Sequence, residues 1–69
     1  MQELEALLNY LVKHNDEHAS EISELAGRAR EMGKHDTFRH LTEGVELLLQ
    51  SNESLRAALA ALEVKDVSS

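Results

Sequence analysis

His14 and His18 stand four residues apart, and on a helix that spacing sets both rings on one face. Two imidazoles so placed are a common means of holding one Zn, Ni, Co or Cu ion. Glu17 and Glu21 extend the same stretch at three and seven residues from His14, and each can add a carboxylate. The expected metal ligands are therefore His14, His18, Glu17 and Glu21, with a transition metal ion as the implied cofactor. A second copy of the chain would supply what one chain lacks. The bland alternative is structural: a His or Asn in a helical seam sets register and oligomer order.

Enzyme chemistry finds little support. His14-Asn15-Asp16-Glu17-His18 matches the H-x-x-E-H pattern of zinc proteases in letters. That reaction also needs a third ligand and a shielded cleft, which so short a chain is not expected to form. Di-iron bundles use Glu-x-x-His, but Leu11, Asn15, Met32 and Thr37 precede the four histidines at that spacing. Neither a phosphate-binding glycine loop nor a nucleophile elbow is present. The expectation is a non-enzymatic protein. His35 and His40 fall near the chain's midpoint, too far along to join His14 within one hairpin, and read as solvated residues.

Two helices must position these residues. Proline is absent, and three glycines interrupt a chain rich in Leu, Ala and Glu. The pattern predicts one helix over 2–32, a turn over 33–35, a second helix over 36–63 and a frayed tail over 64–69. Gly33 suits the left-handed residue that closes a helix, and Asp36 suits the cap of the next.

Apolar residues recur at alternating steps of three and four. In the first helix the expected seam is Leu4, Leu8, Leu11, Asn15, His18, Ile22, Leu25, Ala29 and Met32. In the second it is Phe38, Leu41, Val45, Leu48, Asn52, Leu55, Leu59 and Leu62. Such spacing is the mark of helices packed at a shallow angle. The two lists also mirror each other about the turn: residues whose numbers sum to 70 pair seam position with seam position, as Ile22 with Leu48 and His18 with Asn52. The fold class is therefore all-α, an antiparallel two-helix hairpin. Asn15, His18 and Asn52 form its expected polar core layer.

Flanking positions are also apolar or small. Val12, Ala19, Ala26 and Gly33 recur every seven residues, as do Thr37, Gly44, Ser51 and Ala58. Small stripes let helix backbones approach closely, and the apolar face is wider than one partner helix covers. The expected solution is a homodimer forming a four-helix bundle; a tetramer or insertion into another protein's bundle are the alternatives.

Composition narrows the partners. The formal net charge is −6, so phosphate backbones and anionic lipid are not expected to bind. No apolar run approaches a membrane span. Cysteine is absent, which excludes disulfides and thiolate sites and suits a reducing compartment. The first residues, Met1-Gln2-Glu3, lack the basic flank of a secretory leader. The expected location is cytoplasmic.

The stretch from Tyr10 to Leu62 resembles a family of short helical-hairpin domains of anaerobic bacteria and archaea. Its His-Asn-x-x-His-Ala motif is met by His14, Asn15, His18 and Ala19, and its Asn-Glu-x-Leu element by Asn52, Glu53 and Leu55. The resemblance implies that His14, Asn15, His18 and Asn52 act as a unit. It does not choose between metal handling by the His14–His18 face and an assembly or adaptor module specified by a buried His/Asn layer. A pH-responsive dimer acting through His18 is a third reading.

Overall fold

The computed structural model describes residues 2–63. Two helices, α1 (Gln2–Glu31) and α2 (His35–Glu63), lie against each other as a helical hairpin. Glu3 and Glu5 in the first turn of α1, and Arg28 and Arg30 in its last, complement the helix dipole. The expected tail, 64–69, lies outside the described residues.

The turn is built by hydrogen bonding. Gly33 has φ 77°, the left-handed conformation that a side chain disfavours. With the chain so reversed, the Gly33 amide donates to the Arg30 carbonyl at 3.0 Å and the Lys34 amide to the Ala29 carbonyl at 2.8 Å. This pair of bonds is the Schellman closure, which satisfies carbonyls that a helix end leaves free. It ends α1 one residue before the expected boundary. Helix α2 opens one residue early, because the Lys34 carbonyl already accepts from the Phe38 amide at 2.9 Å. Asp36 therefore does not cap the helix. It sits inside the first turn, 3.6 Å from Arg39.

The seam of α2 follows the expected register except at its last position, Leu62, which is 39% exposed. Phe38, Leu41, Val45, Leu48, Leu55 and Leu59 are all half-buried, and Asn52 is fully buried. That of α1 does not. Leu8, Asn15, Ile22 and Ala29 face inward as expected, but their seam partners are Val12, Ala19 and Ala26. Leu4, Leu11, Leu25 and Met32 are left 41–70% exposed. The helix has thus turned to put its small-residue stripe against α2. Ala19, Ala26 and Ala29 become the only buried apolar residues among those described. Alanines let the backbones close up, and the larger side chains of α2 then fill the space from one side.

Across the seam Asn15 bonds Asn52, and the Arg30 guanidinium lies over the Phe38 ring at 5.9 Å. Among the described residues, no helix is long and apolar enough to cross a membrane.

Candidate functional site: a buried amide and an exposed histidine pair

Asn52 is the one buried polar residue described, at 0% exposure. Its amide is fully used. The Nδ2 group donates to the Val12 carbonyl at 3.0 Å and to Asp16 Oδ1 at 2.9 Å. Its Oδ1 accepts from Asn15 Nδ2 at 3.2 Å. A carbonyl and a carboxylate only accept, so this environment dictates which end of the amide faces which partner. Arg56 then binds the second oxygen of Asp16. Reaching the Val12 carbonyl requires the helices to be close, which the neighbouring alanine stripe permits.

The expected polar layer thus assembles from Asn15 and Asn52, with Asp16 in the place proposed for His18. Sequence reasoning missed Asp16 and Arg56. Arg56 follows Asn52 by four residues and so shares its face of α2; that spacing was the available signal. Asp16 stands on the flank of the seam where Arg56 reaches it, a flank exposed only once α1 turns.

His18 lies on the opposite flank, its side chain 51% exposed. Its Nδ1 stands 3.7 Å from Glu21 Oε1. His14 is half-buried, its ring stacked on Tyr10 at 5.5 Å with planes 12° apart. The two imidazoles meet edge to face, with centroids 4.6 Å apart. Glu17 lies instead with Tyr10, Lys13 and His14 around a shallow pocket of about 270 Å³. Of the four expected ligands, the structure brings His14 to His18 and Glu21 to His18. Among the described residues, no group of three or more acidic or histidine side chains could hold a metal ion within one chain.

His40 pairs locally with Glu43 at 3.4 Å, one turn on from the start of α2 and remote from this region. A second cavity, of about 320 Å³, opens on the flank that bears Arg30, Ser23 and Thr42.

No curated protein and no solved structure matches the chain. A family model does match, over residues 4–62, and spans both helices, the buried amide and the histidine pair. The chain belongs to the family described as domain of unknown function DUF8180.

Proposed function

We propose that this chain is an assembly module: an antiparallel helical hairpin that pairs with a second copy to form a four-helix bundle. The observation that carries the reading is the apolar stripe left open along α1. Leu4, Leu7, Leu11, Leu25 and Met32 are 41–70% exposed, and on α2 Leu47 is 65% exposed.

The Asn15–Asp16–Asn52–Arg56 network has its own part in this reading. Sliding one helix along the other would strand a buried amide, so the network holds the two helices in a single register. The hairpin then presents one defined face to its partner. No catalytic role is assigned.

Sedimentation equilibrium tests the proposal. Wild-type protein at high micromolar concentration is expected to have the mass of two chains, and Leu25→Glu the mass of one. Leu25 is half exposed in the hairpin, so a charge there should disturb pairing far more than folding. A wild-type chain that stays monomeric overturns the reading.

A second reading, a metal-binding protein acting through His14 and His18, is favoured by the 4.6 Å approach of the two rings. Glu17 and Glu21 are the accessory candidates, with Zn, Ni, Co and Cu as candidate ions.

A further inference from the structure

The exposed stripe of α1 is a second heptad seam, distinct from the one facing α2. It runs Leu4, Leu7, Leu11, His14, His18, Glu21, Leu25, Arg28, Met32, in unbroken alternation of three and four. Leu4, Leu7 and Leu11 lie toward one end and Leu25 and Met32, with Arg28 between them, toward the other; His14, His18 and Glu21 fill the middle. The stripe sits on the face opposite Asp16 and Arg56. On that same side of the α2 seam, Gly44, Ser51 and Ala58 leave the backbone thinly covered, and nothing lies within 4 Å of where a Gly44 Cβ would be. A second helix has room to settle there.

A two-fold pairing is self-complementary, since residue i meets j and j meets i. With the axis level with the turn that carries His14 and His18, each copy's histidine pair faces the other's. The Leu7 region of one copy then meets the Leu25 region of the other. In this register His14 falls on His18 and Leu7 on Leu25, while Leu11 meets the stem of Glu21 and Leu4 that of Arg28. Burying four imidazoles in such a seam is costly unless their nitrogens find partners.

The histidines are already oriented for one such partner. Glu21 Oε1 stands 3.7 Å from Nδ1 of His18, longer than a hydrogen bond; a small side-chain rotation would make Nδ1 the donor and leave Nε2 to the ion. Carboxylate support of this kind is the usual second contact of a metal-ligating histidine. The stack on Tyr10 limits rotation of the His14 ring. One chain offers two imidazoles, too few to enclose an ion.

We propose that two copies of this chain hold one divalent transition-metal ion between them, ligated by His14 and His18 of each copy. Glu21 is a positioning residue. Four imidazole nitrogens suit tetrahedral Zn or Co. The proposal rests on the pairing proposed above and adds what sits at its centre.

Titration of metal-stripped protein with Co(II), followed by its visible absorption and then displaced with Zn(II), tests it. The expected stoichiometry is one ion per two chains, with loss of binding in His14→Ala and in His18→Ala. Glu21→Gln should weaken binding by about 10–100-fold. The decisive variant is Leu25→Glu, which keeps every ligand but should lose both pairing and tight binding. Tight binding by that monomer, or one ion per chain in the wild type, overturns the shared site. A metal-free dimer that binds neither Co nor Zn overturns the site and leaves the assembly module standing. A chain that is monomeric without metal and dimeric with it supports the site, and shows that the apolar face does not suffice for assembly. A chain that is monomeric in both conditions overturns both proposals.

Discussion

Replacing Asn52 by alanine should be costly out of proportion to the size of the change. The side chain is fully buried and makes three hydrogen bonds, to the Val12 carbonyl, to Asp16 and from Asn15. A neutral hydrogen bond contributes about 0.5–1.5 kcal/mol net, and one to a charged group about 1.5–3 kcal/mol. Part of that loss is recovered. Asn15 and Asp16 are half-buried and can turn to water, Asp16 keeps Arg56, and the Val12 carbonyl keeps its helical partner. The net loss expected is about 2–4 kcal/mol. For a chain of this size that lowers the melting temperature by about 10–25 °C. Circular dichroism at 222 nm, under heat and in urea, measures it, at one fixed protein concentration because pairing adds to apparent stability. Asn52→Leu separates the causes: if leucine restores stability, volume mattered and the amide did not. A loss below about 0.5 kcal/mol for Asn52→Ala would place it among neutral surface changes and refute the argument.

Three further outcomes follow from the backbone and the packing. Gly33→Ala should cost about 1–2 kcal/mol, because Gly33 is held at φ 77°. Nothing stands within 4 Å of an added Cβ, so backbone strain alone accounts for the loss, and an unchanged urea midpoint would contradict it. Ala26→Leu should destabilise by about 1–3 kcal/mol through overpacking, since Ala26 is 5% exposed in the closely approached seam. Leu25→Ala beside it, at a half-exposed position, should leave the hairpin's own stability nearly unchanged while weakening pairing; the reverse order of effects in thermal melts would restore the seam read from sequence.

The two helices, the turn at Gly33 and the inward face of α2 were all legible in the sequence. Propensity, the absence of proline and a single apolar stripe leave little choice there. Helix α1 was different, because it carries two stripes with the same heptad spacing. One contains Val12, Ala19 and Ala26, and the other Leu11, His18 and Leu25; both share a boundary at Leu8, Asn15 and Ile22. Periodicity counts steps and cannot choose between adjacent stripes that step alike. Side-chain size then misleads, since the larger residues look like the core. Tertiary structure decided for the small ones: only a close approach lets the Asn52 amide reach the Val12 carbonyl and the Asp16 carboxylate. That rotation moved His18 from the interior to the surface, set Asp16 and Arg56 on the far flank, and left the leucines of α1 open.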